Sequence, residues 1–442
     1  DADFALDGTA FSQTLNQIGQ KTGHAQDPDL IIRSFNTIQS LIKEQKIIAG
    51  HDISSGGLIT TLLEMCFPSQ NVAADIDLSA LGDTDIHHLL FNENAGVIIQ
   101  TYEKIDDDLA GADLDFYPIG QGTASDRLEI KVHKDSFSFD IATYRSTWFH
   151  RSYLFDQQQT KSDLAKERFD HLAKSPLQFD FPKAFDGKKP EVQQKVKAAI
   201  IREKGSNSER EMAKALDISG FDVKDVHMTD LMSGKEDLTD VQFIAAVGGF
   251  SNSDVLGSAK GWAGSFLYNK NAKKALYDFF AREDTLSLGV CNGCQLFIEL
   301  GLITPDHKQK PKLLPNRSNK FECIFSDVII QENHSVMLKN LAGSRLGIWS
   351  AHAEGRFSLP YHEDHYQIVG KYAYANYPQN PNGSDCNACM LTDDSGRHLV
   401  MMPHLERSTF PWNWAYYPED RNDEVSPWLM AFQNAQKWLL NK

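Results

Sequence analysis

Residues 285–300 read TLSLGVCNGCQLFIEL: a short run of strand character, a tight turn, and an apolar helix. The residue at the corner, Cys291, stands between Gly289 and Gly293 in GVCNGCQ, residues 289–295. A reactive side chain between two glycines on a strand-to-helix turn is the nucleophile-elbow arrangement. The glycines let the backbone bend sharply and let strand and helix pack closely. Cys291 would then project from the sheet edge at the positive end of a helix, a location that stabilises a thiolate. The amide of Asn292 would point to where a tetrahedral oxyanion forms.

Working outward, strands and helices alternate from residue 192 onward. Strands are predicted over 196–202, 221–227, 241–247 and 285–290, with helices over 209–219 and through 273–281. Such alternation implies an α/β domain with a doubly wound, mostly parallel sheet, spanning residues 192–442. Ligands of such sheets bind at the carboxyl ends of the strands. The predicted strand 241–247 ends in Gly248-Gly249-Phe250, where a backbone N–H can come close to a substrate. A Gly-Gly pair alone is more often only a turn. Its position at a strand end in the same sheet favours the second oxyanion donor.

A thiol needs a base. The apolar run HLVMM leads into PHLER, which carries His404 and Glu406 two residues apart. In an extended segment, residues i and i+2 face the same side. Glu406 would therefore orient the imidazole of His404, as the third member of a triad does. Singly, each of the 15 histidines is more often structural. The combination of elbow, Gly-Gly strand end and His-x-Glu is far more specific.

The N-terminal part, residues 1–145, reads as a separate α/β unit. An amphipathic helix is predicted over 29–46, with Leu30, Ile31, Phe35, Ile38, Leu41 and Ile42 on one stripe. A strand at 47–49 runs into HDISSGGL, residues 51–58, and a helix through Met65. Further strands are expected at 72–76, 96–100, 115–119 and 128–132, with a helix near 103–110. Residues 146–191 are aromatic and charged without a sustained period, which reads as a connector packed on the surface. Ser54-Ser55-Gly56-Gly57 at a strand-to-helix junction can form a phosphate nest, and Asp52 beside it can hold Mg²⁺. Such a sequence is more often only a helix cap, so both readings stay open here.

A chain of 442 residues exceeds what one core usually organises. No apolar run approaches the roughly 20 residues that span a bilayer, so no membrane partner is expected. DADFALDGTA at the N-terminus lacks the pattern of a signal peptide. A net charge of −16 argues against general affinity for nucleic-acid backbones. Six cysteines in so long a chain make no disulfide scaffold, and we expect reduced thiols in a cytoplasmic protein. The pairs Cys291/Cys294 and Cys386/Cys389 are spaced too far apart for a usual structural zinc site. Cys386 and Cys389 read instead as small apolar packing residues. His334, His352 and His365 show no partner in the sequence.

GVCNGCQ fits the G-x-C-x-G-x-Q signature of class I glutamine amidotransferases, and PHLER resembles their C-terminal His-x-Glu segment. REKGSNSEREM (202–212), VHMTDLMSG (226–234), GGFSNSDVLGSAKGWA (248–263), NRSNKFEC (316–323), HAEGRF (352–357) and NYPQNPNGS (376–384) resemble the phosphoribosylformylglycinamidine synthase family. So does HDISSGGLITTLLEMCF (51–67), from the synthetase part that this family joins to its glutaminase.

The resemblance implies a flavodoxin-like glutaminase fold after residue 192. Before residue 145 it implies a domain like the C-terminal domain of aminoimidazole ribonucleotide synthetase. It makes Cys291 the nucleophile, His404 the base and Glu406 its orienter. Gly248, Gly249 and Asn292 would serve the oxyanion, and Gln295 the glutamine pocket. Ammonia from glutamine would pass to a site where ATP activates formylglycinamide ribonucleotide, the product being the amidine of purine biosynthesis. Asp52 would bind magnesium, and Ser54, Gly56 and Gly57 the nucleotide, ATP or ADP.

Two departures stand out. The family usually reads GGFSYGD where this chain has Asn252 and Ser253, which puts the path of that loop in question. The family's long N-terminal part also has no counterpart, so the chain is expected to be a C-terminal portion acting only as a glutaminase, with weak nucleotide binding at most. Two rival readings share the fold: a catalytically silent amidotransferase-like binding module, and a cysteine hydrolase with another substrate.

Overall fold

The structure is a computed structural model that describes residues 4–20, 27–82, 85–172 and 174–442. The chain forms two compact units, Asp1–Phe155 and Asp156–Lys442.

The first unit contains β1 (Ile47–Asp52), β2 (Ala73–Asp77), β3 (Val97–Thr101), β4 (Gly120–Thr123), β5 (Arg127–Val132) and β6 (Asp135–Asp140). β1 and β3 pair antiparallel, and the other four form a sheet in the order β4-β2-β5-β6. Helix Gly57–Cys66 buries Leu58, Ile59, Leu62 and Leu63 in a core shared with Leu128 and Ile130. Each such side chain removed from water contributes about 1.5–3 kcal/mol.

Two expectations for this unit are corrected. Residues 115–119 are not a strand. Pro118 lies within them, and a proline has no N–H to give to a ladder, so pairing starts only at Gly120. The amphipathic helix exists as Pro28–Lys43, started by the Asp27 carboxylate, which accepts from the Asp29 and Leu30 amides. Of its predicted stripe only Leu41 is buried; Leu30, Ile31, Phe35 and Ile42 are exposed.

The aperiodic stretch after residue 141 is helical over Ile141–Gln159 and Ser162–His171. Apolar residues are scattered around the first of these helices and not gathered on one stripe. Tyr144, Trp148, Leu154 and Phe155 are all exposed. Period counting has no signal in such a helix.

The second unit continues with β7 (Val196–Arg202), β8 (Phe221–His227), β9 (Phe243–Ala246), β10 (Leu286–Val290), β11 (Lys312–Leu314), β12 (Glu322–Ile330) and β13 (Arg345–His352). After these come β14 (Arg356–Ser358), β15 (Gln367–Tyr372), β16 (Ala388–Thr392) and β17 (His398–Met401). Nine of them form one sheet in the order β13-β12-β15-β16-β17-β10-β9-β7-β8. The strands from β17 to β8 run parallel, as the alternating pattern predicts. β16, β15, β12 and β13 extend the sheet antiparallel from the β17 side, so it is mixed across its full width. β9 and β10 are buried along their whole length, the continuous apolar pattern of strands covered on both faces. β10 lies between β9 and β17, which brings the ends of three segments distant in sequence side by side.

Candidate active site

Cys291 follows β10 and opens helix Asn292–Glu299. Its backbone sits at φ 52° and ψ −106°, a conformation that non-glycine residues rarely adopt. The corner is held from both sides. Cys291 N donates to Met401 O at 2.8 Å, and Gln295 N donates to Cys291 O at 3.0 Å. A side chain at position 293 would put its Cβ 1.9 Å from the Ala246 carbonyl oxygen. Only glycine lets the helix approach β9 this closely.

Cys294, one turn into the helix, is fully buried, and burial pushes its thiol well above the ordinary range. The two cysteines of the CxxC therefore have different surroundings. Cys389 is likewise buried in β16. Cys386 is not the apolar packing residue expected. It is exposed in the turn Asp385–Asn387 that precedes β16.

His404 lies just beyond β17, anchored by its N–H to Trp349 O at 2.7 Å. Its Nδ1 is 2.7 Å from Glu406 Oε1, and both side chains are sealed from solvent. The facing of these two residues was expected from an extended segment. Leu405–Arg407 is instead a 3₁₀ turn, and its curvature brings the carboxylate under the ring. Burial works against a charged imidazole, but the Glu406 carboxylate and then Cys291 outweigh it, raising the His404 pKa to about 9. Burial likewise opposes the Glu406 carboxylate, yet the His404 charge holds its pKa below the usual value. His404 Nε2 is buried with no hydrogen-bond partner among the described residues.

Gly248 brings the thiol and the imidazole together. A Cβ there would lie 2.8 Å from His404 Cε1 and 3.4 Å from Cys291 Cβ, so both residues crowd the same backbone point. Gly249 follows at φ 114°. Asn207 N donates to Gly248 O at 2.8 Å and Phe250 N to Gly205 O at 2.9 Å, which fixes the loop on either side. The Gly249 N–H between them has no hydrogen-bond partner among the described residues. The Asn292 N–H is in the first turn of its helix, where amides have no intrahelical acceptor.

The loop after Gly249 takes three left-handed residues in succession, Asn252 at φ 52°, Ser253 at 56° and Asp254 at 44°. Asparagine tolerates that region, and serine does so less well. The Asn292 side chain ties this loop to the elbow. Its Oδ1 accepts from Ser251 N at 3.0 Å, and its Nδ2 donates to Gln295 Oε1 at 2.7 Å and to Asp254 Oδ1 at 3.2 Å. Gln295 Nε2 in turn donates to Glu354 O at 2.6 Å.

A cavity of about 140 Å³ opens beside the thiol. Gly249, Phe250 and Asp254 line it from the loop, Cys291 and Gln295 from the elbow and helix, and residues 352–354 from the end of β13. His352, Asp254 and Glu354 were not singled out as site residues from the sequence. Two of them lie in the quoted HAEGRF segment, but nothing local assigned either a role.

In the first unit, Asp52 ends β1 with its side chain exposed, 3.6 Å from His51 Nδ1. Gly56 and Gly57 have φ of 91° and 72°, as a nest requires. The Gly56 N–H, however, already donates to the Glu93 carboxylate at 2.8 Å. Gly57 N donates to Ser54 O at 2.9 Å, closing a turn. Among the described residues no group of three histidine, cysteine, aspartate or glutamate side chains is placed to hold a metal ion. These residues do not by themselves fit a magnesium–nucleotide complex.

The fold and the elbow define the class of the protein. The chain belongs to the CobB/CobQ-like glutamine amidotransferase family, whose model matches residues 195–439. Residues 5–133 match the C-terminal domain of AIR synthase related proteins. One relative is a probable phosphoribosylformylglycinamidine synthase, chloroplastic/mitochondrial, of Arabidopsis thaliana. It is 36% identical over 465 residues, which cover 98% of this chain and 33% of that protein. The chain thus spans about a third of the length of that relative. Among solved structures it is similar to PurLQS from Thermotoga maritima, 27% identical over 56% of this chain and all of that one, with a TM-score of 0.43. It is also similar to a glutamine amido transferase from Methylobacillus flagellatus, 11% identical over 57% of this chain and 95% of the other, with a TM-score of 0.33. Among the described residues, no helix is long and apolar enough to cross a membrane.

Proposed function

We propose that the chain hydrolyses glutamine through Cys291, His404 and Glu406. The thiolate of Cys291 attacks the side-chain amide carbon, and the carbonyl oxygen takes up the negative charge. The Gly249 and Asn292 amides are the donors suited to that oxyanion. His404, protonated on taking the thiol proton, returns it to the amide nitrogen, and ammonia leaves with cleavage of the C–N bond. Water, deprotonated by His404, then attacks the thioester and releases glutamate and the thiol. The observation that carries this reading is the buried 2.7 Å contact of His404 with Glu406, on a ring packed against Gly248 opposite Cys291. A buried carboxylate beside the ring favours the imidazolium that this proton transfer creates.

We further propose that the ammonia serves the reaction named for the longer relative, ATP-dependent amidation of formylglycinamide ribonucleotide in purine biosynthesis. Magnesium and ATP belong to that step and not to the glutaminase step, and groups outside the residues described for Asp52 and Ser54 would complete their site. All six cysteines are free, which a reducing compartment such as the cytoplasm permits.

The test is release of glutamate and ammonia from glutamine by the wild-type chain and by Cys291→Ala. Release that depends on Cys291 supports the proposal. Hydrolysis of esters or peptides without glutaminase activity would replace it with the hydrolase reading. No reaction with either would favour a binding module.

A further inference from the structure

The second cysteine of GVCNGCQ has no part in the glutaminase reading. Cys294 lies three residues after Cys291, in the helix that Cys291 opens. A CxxC whose first cysteine starts a helix is the arrangement of thiol–disulfide chemistry, in which one thiol reacts and the other resolves. The two thiols differ as those roles require. Cys291 lines the cavity, where a small solute can reach it, and a Cβ at Gly248 would crowd both Cys291 and the ring of His404. Cys294 is wholly buried, and burial holds its thiol well above the ordinary range. Both cysteines are free in the structure.

The backbone brings the pair within reach. Gln295 N donates to Cys291 O at 3.0 Å, so one helical turn holds both residues. Residues three apart on such a turn have Cβ atoms about 5–6 Å apart. A disulfide needs about 3.5–4.5 Å, so the corner has to shift by about 1–2 Å. Strain at Cys291 favours that shift. Its φ of 52° and ψ of −106° are values that non-glycine residues rarely adopt, and movement towards helical or extended values releases energy. Cys389, the other buried cysteine of the second unit, is held in β16, a strand paired with β15 and β17.

We propose that Cys291 and Cys294 form a reversible oxidation site, at which hydrogen peroxide makes a disulfide that silences the nucleophile. The inference goes beyond the glutaminase reading, since it uses the thiol and imidazole of that site but no glutamine. His404 takes the Cys291 proton, and the thiolate attacks one peroxide oxygen. The S–O bond forms as the O–O bond breaks, and the leaving hydroxide takes the proton from His404 to become water. The sulfenic acid at Cys291 then meets the thiol of Cys294. The S–S bond forms, the S–O bond breaks, and the hydroxyl departs with the Cys294 proton as a second water. Two thiols lose two electrons and one peroxide gains them. A dithiol reverses the change, whereas the sulfinic and sulfonic acids that the disulfide forestalls are not reversed by thiols.

The 442-residue chain is treated with hydrogen peroxide in the absence of glutamine, its remaining thiols are capped with iodoacetamide, and its tryptic peptides are analysed by mass spectrometry. Residues 283–308 form one tryptic peptide whose only cysteines are Cys291 and Cys294. In wild type this peptide should be uncapped and lighter by two hydrogens. Dithiothreitol should then restore at least about nine-tenths of glutamate release from glutamine. Untreated Cys294→Ala should release glutamate within about twofold of wild type. After peroxide it should recover less than about a tenth, because Cys291 goes on to the sulfinic acid. Cys389→Ala should behave as wild type throughout. A wild-type peptide that gains oxygen or stays capped at both cysteines, a bond from Cys291 to Cys389, or full recovery of Cys294→Ala would overturn the proposal. Should Cys294→Ala fail to fold, the mass of the wild-type peptide decides alone. Absence of Cys291-dependent glutamate release before oxidation would overturn the glutaminase reading, and the peptide mass would still decide the oxidation site.

Discussion

The imidazole of His404 and the carboxylate of Glu406 meet at 2.7 Å in a place that water does not reach. A charge there has no solvent to fall back on, so each group depends on the other. The pair also lies next to Cys291, whose thiol sits on an unfavourable backbone corner. Strain and buried charge gathered at one point are costs to folding that functional sites commonly carry.

Glu406→Gln keeps the shape of the pair and removes its charge. Glutaminase turnover should fall by about 10³–10⁴-fold, as when a triad carboxylate becomes an amide. Stability should report the same coupling. The folded pKa of His404 is raised to about 9 from the ordinary 6.5. Its contribution is therefore complete below about pH 6.5 and lost as pH climbs through about 9. Denaturant unfolding of wild type and variant should differ most near pH 6 and least above pH 9. A difference independent of pH would refute the charge coupling.

At residue 291 the positive φ penalises any side chain. Cys291→Ala and Cys291→Gly should both be inactive, yet the glycine variant should be the more stable by about 1–2 kcal/mol. Thermal or denaturant unfolding of the two side by side checks this. Equal stability would mean that the corner is not strained.

Ser253 occupies a left-handed position, φ 56°, a region that favours glycine. Ser253→Gly should gain up to about 1 kcal/mol, the relief of strain less the entropy that glycine loses on folding. Glutamine KM should stay within about twofold, since the loop already follows the path that glycine would allow.

Gly293→Ala should be severely destabilising, by about 3 kcal/mol or more, because its Cβ would collide with the Ala246 carbonyl, which is backbone and cannot move aside. Gly264→Ala is the control. It lies in helix Lys260–Tyr268, and its Cβ would meet only Tyr268 Cδ2 at 3.9 Å. That variant should be more stable by about 0.5–1 kcal/mol. Soluble yield and unfolding midpoints of the two variants decide the comparison.

Features set by residues close along the chain are legible in the sequence. GVCNGCQ announces a strand, a corner and a helix, because the glycines, the apolar run and the turn fall within a few residues of one another. His404 and Glu406 were legible as a pair from their spacing, although a 3₁₀ turn and not an extended segment makes them face. The strand expected at 115–119 failed where apolar residues outvoted Pro118. The helix over Ile141–Gln159 was missed because its apolar residues follow no single face.

The amino-acid sequence by itself determined the elbow at Cys291, the parallel half of the sheet and the pairing of His404 with Glu406, since each depends on residues close along the chain or on a spacing that chemistry recognises. The tertiary structure alone decided which residues surround that thiol. Gly248, Cys291 and His404 are neighbours because β9, β10 and β17 lie side by side, and strand order is set by the packing of the whole sheet. Asp254, Glu354 and His352 come to line one cavity only when a loop after β9 and the end of β13 meet beside the elbow. No short stretch of chain carries that information, because burial and missing partners are properties of what the fold lays against a residue.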